Sequence, residues 1–261
     1  MKPPILICTP RSGSTAILND LHEISAKLYD SRNSLNEYFT CTSSTRFPVK
    51  HKIYKNKAGL HVQQFKSDEV LDEASRKKEV LRRLNLLQSD KNIYTLKLFT
   101  SSIAGNNQII DYIKQNYTPI FLQRRNKLAQ FFSILLFAYN MSDESEFKKA
   151  HYHMSDKPPT GFYYRRDIFD LFYEKIEEYF EVKSIFENHI TLEYSEWQND
   201  RNILFDKLGL DESHKFKLSD FDKQKTIPVP YGTKNREELI INKDEWEADK
   251  KYVLGWLNTL P

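Results

Sequence analysis

The sequence predicts an α/β fold, a central parallel sheet flanked by helices, in one domain spanning residues 1–261. Three observations point there. The run Ile5-Leu6-Ile7-Cys8 is apolar and β-branched enough for a buried strand, and it enters a small-residue turn before apolar residues recur at helical spacing. A second segment repeats that plan from Thr118 to Leu136. Strand-like and helix-like stretches alternate along the rest of the chain, as they do where parallel strands are joined by crossover helices.

Each element has its own warrant. After a strand over 5–9, residues 15–29 predict a helix because Ile17, Leu18, Leu21, Ile24 and Leu28 share one face, which leaves His22 on its outer surface. The polar stretch Asp30 to Asn36 predicts a loop leading to Glu37-Tyr38-Phe39. Residues 40–64 lack clean periodicity and predict loop and substrate-facing structure. Residues 67–89 predict a charged helix with Val70, Leu71, Val80, Leu81, Leu84 and Leu87 on its apolar face. Tyr94 to Phe99 alternates like a strand, Ile109, Ile110 and Ile113 mark a helix, and Thr118 to Gln123 is a strand. The helix that follows, Asn126 to Leu136, turns Leu128, Phe131, Phe132 and Leu135 inward. A helix fits 166–181 and a strand 190–194, and a strong helix runs from Asp200 to Leu208, with Gly209 just past its end. Trp246 through Leu260 reads as an amphipathic helix packed on the core. No internal repeat, low-complexity tract or linker interrupts the pattern.

Composition narrows the function classes. Lys and Arg number 39 against 36 Asp and Glu, a net charge of +3, too balanced to imply nucleic acid as a partner. No run approaches the roughly 18 apolar residues of a membrane span. The two cysteines, Cys8 in the first strand and Cys41 in a loop, give no disulfide framework and suit a reducing, cytoplasmic compartment. Met1-Lys2-Pro3-Pro4 enters the first strand at once, which predicts neither a signal peptide nor an anchor. The histidines, His22, His51, His61, His151 and His153 among them, match no zinc spacing, so no metal is expected, and no Gly-x-Ser-x-Gly elbow is present.

The first turn is built for an anion. Small residues after a strand and before a helix leave backbone N–H groups pointing at whatever sits there. A Walker loop would carry Lys after its last glycine, whereas here Ser14 and Thr15 follow Gly13 and the cation, Arg11, precedes it. The planar guanidinium suits a tetrahedral anion bidentately. A metal-nucleotide kinase is disfavoured and a metal-independent phosphosulfate site favoured. In the second segment the strand ends in Arg124-Arg125, and Ser133 lies eight residues after Arg125, two turns along one helical face if the helix starts near Asn126. Arg124 is the adjacent alternative, at a spacing of nine.

Pro10-Arg11-Ser12-Gly13-Ser14-Thr15 resembles the 5′-phosphosulfate loop of sulfotransferases that use 3′-phosphoadenosine 5′-phosphosulfate (PAPS), and Arg125 with Ser133 resembles their 3′-phosphate motif. The resemblance implies a P-loop-like sulfotransferase fold and transfer of a sulfuryl group from PAPS to an acceptor hydroxyl. Arg11, Ser12, Gly13, Ser14 and Thr15 would then hold the 5′ end of the donor, and Arg125 and Ser133 its 3′-phosphate. Lys97 is followed by Leu98 and Phe99, so the His that lies two residues after a strand Lys in animal cytosolic members is missing. Glu37, within Asn36-Glu37-Tyr38-Phe39, is the candidate substitute base, with His51 and His61 as competing bases. The order of blocks, ending in Lys97-Leu98, resembles the bacterial trehalose sulfotransferases, with Lys97 as the charge-balancing cation and a carbohydrate among the candidate acceptors. Tyr194, in Leu192-Glu193-Tyr194, resembles the family's residue near the adenine. The family's Arg-Lys-Gly clamp is absent, and the nearest basic stretch is Lys223-Gln224-Lys225 followed by Tyr231-Gly232-Thr233-Lys234. Many Golgi members carry a membrane anchor, and this chain looks like a soluble form.

Two other readings stay open on sequence: a P-loop phosphotransferase with an unusual loop, and a non-catalytic binder of nucleotides or sulfated ligands. The acceptor is open among sugars, phenols, peptides and lipid headgroups, and a homodimer is as compatible with the sequence as a monomer. The Lys- and Asn-rich, Gly-poor composition suits a microbe or virus with an AT-rich genome.

Overall fold

A computed structural model of the chain describes residues 2–10, 12–31, 33–36, 38–39, 50–55, 61–66, 73–90, 92–141, 161–219 and 236–260. Arg11, Glu37, Cys41, Val70, Leu71, His151, His153, and the basic stretches 223–225 and 231–234, Lys223 included, lie outside the described residues. The chain divides into two compact units, one of Met1–Gln123 with Glu178–Ser219 and the other of Arg124–Glu177 with Asp220–Pro261.

The first unit is built on a seven-stranded sheet of order β3-β4-β2-β5-β1-β6-β7. Its strands are β1 (Pro4–Cys8), β2 (Asn33–Asn36), β3 (Lys50–Lys55), β4 (His61–Lys66), β5 (Tyr94–Phe99), β6 (Thr118–Gln123) and β7 (Ile190–Glu193). The ladders from β4 through β7 are parallel, and β3 runs antiparallel to β4 at the edge. The side chains of β1 are buried on both faces, which is why its sequence shows an unbroken apolar run. On one face Ile5, Ile7, Leu96, Leu98 and Phe121 pack with Val80, Leu84 and Leu87 of α2 (Glu73–Ser89) and with Ile109, Ile110 and Ile113 of α3 (Asn107–Asn116). On the other, Leu6, Cys8, Ile120, Leu122 and Leu192 meet Ile17, Leu18, Leu21 and Ile24 of α1 (Ser14–Tyr29). Helices on both faces of a parallel sheet make this an α/β fold, as the alternating pattern implies.

The second unit holds α4 (Lys127–Met141), the first part of α5 (Arg166–Ile185) and α8 (Lys243–Leu257). Aromatic rings fill it: Phe131 stacks on Phe172 at 5.6 Å, and Phe132 and Tyr164 both meet the buried Trp246 ring, at 5.5 and 5.3 Å. Their polar handles are satisfied. Trp246 Nε1 donates to Glu237 at 2.7 Å, and the Tyr164 hydroxyl donates to Asp249 at 2.9 Å.

Several expectations need correction. Residues 33–36 form a strand rather than a loop, because Asn33 to Asn36 pair in register with Tyr94 to Lys97. Residues 50–55 and 61–66, read as loop, are an antiparallel pair at the sheet edge. The helix expected over 200–208 is only the short α7 (Ile203–Lys207), preceded by α6 (Tyr194–Asn199), although Gly209 does take the left-handed conformation expected just past its end. Leu81, placed on the apolar face of its helix, is 38% exposed. His22 does not face solvent. It is 2% exposed, and its Nδ1 shares a hydrogen bond with Thr95 Oγ1 at 3.2 Å, while Ser31 Oγ lies 3.0 Å from the same hydroxyl.

Burial lowers the pKa of His22, against a smaller opposing pull from Glu23. The unfolded chain, whose His titrates near 6.5, therefore takes up a proton before the folded one does. Stability is fully present above about pH 6.5 and falls as pH drops through and below it. Urea midpoints measured from about pH 8 to about pH 5 are expected to fall on the acid side, and His22→Gln to flatten that slope. An unchanged slope in His22→Gln would assign the acid sensitivity to other groups.

Candidate functional site

β2, β5, β1, β6 and β7 run parallel, so their carboxyl ends open on one edge, where ligands of open α/β sheets bind. At the end of β1 the chain passes Thr9 and Pro10 to Ser12 and Gly13, and α1 begins at Ser14. Gly13 is its N-cap, with φ 90° and ψ 12°, a left-handed conformation that costs an L-residue about 1–2 kcal/mol. Among the described residues no side chain caps this end of α1, and its first turn carries no acidic residue. The helix terminus is left with its positive partial charge and its free N–H groups. Ser12 is fully buried, and its Oγ makes no hydrogen bond among the described residues. Such a hydroxyl costs free energy unless something occupies its donor direction, and an anion at the turn would do so. Ser14 is also buried, while Thr15 is exposed.

Tyr194 closes the turn from above. A Cβ placed on Gly13 would lie 2.9 Å from Tyr194 Cζ and closer still to Cε2 and Cδ2, so the ring rests directly on the glycine. Tyr194 follows the last residue of β7 and opens α6, where Glu193 and Glu196 form a reciprocal capping box. The sequence resemblance suggests a tyrosine near a base; in this unit its ring packs on the backbone of the turn at Gly13.

Lys97 is 2% exposed and sits in β5, in register with Leu6 on one side and Asn36 on the other. Its Nζ lies 5.2 Å from the centre of the Phe99 ring, two residues nearer the carboxyl end of the strand. Glu37 follows the strand residue paired with Lys97, and the next residue is firmly held: Arg83 NH1 donates to the Tyr38 carbonyl at 2.6 Å. Arg83, 2% exposed, also donates to Glu79 at 2.8 Å. Hydrogen bonds from Arg82, then from Arg83, bring the Glu79 carboxyl down to about 2. Burial, more than the opposing Arg83 charge, pushes the Tyr38 hydroxyl up to about 12.

In the second unit, Asn126 caps α4 by accepting from Ala129 N at 2.8 Å, so the helix starts where the spacing argument requires. Ala129 and Ser133 then lie one turn apart on one row, with the exposed Arg125 just before the cap. Arg236 reaches the same row, donating from NH1 to the Ala129 carbonyl at 2.8 Å. Sequence reasoning missed Arg236, which stands in no motif, and it missed Asp20. The latter carried a signal: it is a charged residue on the apolar stripe of Ile17, Leu21 and Ile24.

The site residues thus fall into groups. Ser12, Gly13, Ser14, Thr15 and Tyr194 come together at the end of β1 and Lys97 lies in the adjoining strand, while Arg125 and Ser133 belong to the other unit. Groups of His, Cys, Asp or Glu that could hold a metal are absent among the described residues, as is any helix long and apolar enough to cross a membrane. No protein-family model and no curated protein matches the chain. Among solved structures it is similar to mouse sulfotransferase SULT7A1 complexed with PAP, at 13% identity and a TM-score of 0.36, covering 90% of this chain and 66% of that one. It is also similar to a sulfotransferase from Alicyclobacillus acidocaldarius, at 10% identity and a TM-score of 0.38, covering 92% of this chain and 96% of that one. The chain spans just under two thirds of the mouse protein's length. Likeness of this degree carries no argument about activity.

Gly13→Ala is expected to lower unfolding stability by at least about 1–2 kcal/mol from the left-handed turn alone, with the overlap on Tyr194 adding to it. Adding Tyr194→Ala should relieve the overlap but not the backbone strain. Urea denaturation of the two variants measures both contributions, and an undiminished Gly13→Ala midpoint would contradict the described turn.

Proposed function

We propose that this protein is a sulfotransferase that moves a sulfuryl group from PAPS to an acceptor hydroxyl. The observation that carries the reading is the start of α1, which no side chain caps among the described residues, with the buried Ser12 hydroxyl two residues before it, which makes no hydrogen bond among those residues. In this reading Arg11 and the N–H groups of Ser12 to Thr15 bind the 5′-phosphosulfate, with the Ser14 and Thr15 hydroxyls assisting. Arg125 and Ser133 bind the 3′-phosphate, and Arg236, already on their row, takes the place of the missing clamp, alongside Lys223. Tyr194 borders the donor.

Glu37 accepts the proton of the acceptor hydroxyl as that oxygen bonds to sulfur and the bond from sulfur to the bridging phosphate oxygen breaks. Lys97 and Arg11 balance the charge that grows on the bridging oxygen, so adenosine 3′,5′-bisphosphate leaves as the product. Most of the acceleration comes from orientation and preformed positive charge, and the sulfuryl transfer asks for no metal. A carbohydrate is the acceptor we favour, on the order of the sequence blocks, and two cysteines that offer no disulfide framework suit a reducing, cytoplasmic setting.

Turnover of PAPS against a panel of sugar and phenol acceptors in EDTA tests the reading. Arg11→Ala is expected to stay folded and lose about 100- to 1,000-fold in rate. Glu37→Gln should lose turnover while keeping donor affinity. Full activity in Arg11→Ala would remove Arg11 from the site; a magnesium requirement with nucleoside triphosphates would favour the phosphotransferase reading.

A further inference from the structure

Asp20 lies on α1, six residues after its first residue, and is completely buried. A carboxylate in that position is costly unless its oxygens are filled. Here Trp197 Nε1 donates to Oδ2 at 2.8 Å, Arg201 Nε donates to the same oxygen at 2.8 Å, and Arg201 NH2 pairs with Oδ1. Burial raises the Asp20 pKa, and the hydrogen bonds from Arg201 and Trp197 oppose that shift. Trp197 is 8% exposed, and its ring centre lies 5.8 Å from that of Tyr194, the side chain whose ring rests on Gly13. One continuous path of contacts therefore runs from Asp20 through the indole of Trp197 and the ring of Tyr194 to the turn at the head of the same helix.

From this path we infer that Asp20 is a positioning residue for the anion turn: its carboxylate fixes Trp197, and through Trp197 the Tyr194 ring that holds Gly13 in its left-handed conformation. The inference rests on reading residues 9–15 as the anion-binding turn. α1 makes a parallel attachment one turn further on, where Glu23 accepts from Ser219 N at 2.9 Å and from Ser219 Oγ at 3.0 Å. Arg201 joins the two attachments by donating to the Ser219 carbonyl at 3.2 Å. A carboxylate held by three hydrogen bonds suits this task because its partners are fixed in direction as well as in distance. The turn is then held in its binding geometry before any ligand arrives, which lowers the ordering cost of binding.

The test uses the full chain without nucleotide, so it judges the path of contacts whether or not the donor is PAPS. Under the Tyr194 ring, the Gly13 Hα resonances are expected to be displaced upfield by the ring current. Trp197→Phe keeps a ring in the core and deletes the indole N–H. It should return Gly13 Hα toward its ordinary position and displace the Ser14 and Thr15 amide resonances with it. Asp20→Asn should move Gly13 in the same direction, and it carries the test if Trp197→Phe fails to fold. Ile113→Val, a core change on the opposite face of the sheet, should lower stability without moving Gly13. If Gly13 is unmoved in both Trp197→Phe and Asp20→Asn, or moves equally in Ile113→Val, the positioning role is overturned. Inorganic sulfate titrated against the same amides should bind about three- to tenfold more weakly in Trp197→Phe. A parent chain with the Gly13 displacement but no response to sulfate would overturn the anion-turn reading and leave the contact path standing.

Discussion

At Gly13 the backbone turns left-handed beneath an aromatic ring, and the candidate site depends on that turn. It takes the chain out of a buried strand and into α1 with no side chain on the helix terminus, so the helix presents bare N–H groups at the carboxyl edge of the sheet. Any residue with a Cβ would strain the turn and meet Tyr194. An acidic cap would stabilise the helix in isolation and fill the place where an anion would sit. The start of α1 lacks that local stabilisation among the described residues.

The sheet order then determines what stands near the turn. β1 is flanked by β5 and β6, and β5 by β2, so Lys97 lies one strand away and the segment after Asn36 two strands away. Arg83, paired with the half-buried Glu79, reinforces this arrangement from the helical layer by donating to the Tyr38 carbonyl. Buried charge recurs in this unit at Asp20, Arg83 and Lys97. Each such group adds a desolvation penalty that an apolar residue would avoid. Asp20 and Arg83 offset it with the hydrogen bonds described above.

How much of this was legible in the sequence follows from what each segment needed. β1, β5 and β6 declared themselves because their burial is written as apolar runs or alternation. β2, Asn-Ser-Leu-Asn, carries residues that strands disfavour, and its pairing with β5 and β4 makes it one. The edge pair β3 and β4 is rich in Lys, His and Gln, the composition that keeps sheet edges from aggregating and also hides them from a hydrophobic pattern. His22 was misplaced because its partner, Thr95, is 73 residues away, beyond any local periodicity. Within the candidate site, the turn at 9–15 and a helix start near Asn126 were readable from short-range chemistry. The Tyr194 ring on Gly13, the Asp20 cluster and Arg236 on Ala129 depend on tertiary contacts, which the spacing of residues along a sequence does not encode.

The measurement that bears most directly on the central claim is calorimetric titration of the protein with adenosine 3′,5′-bisphosphate in EDTA, with ATP in parallel. The account predicts binding at about micromolar Kd, on the order of −8 kcal/mol, that is lost in Arg125→Ala and is much weaker for ATP. Absence of bisphosphate binding, or equal binding of ATP that requires magnesium, would contradict it.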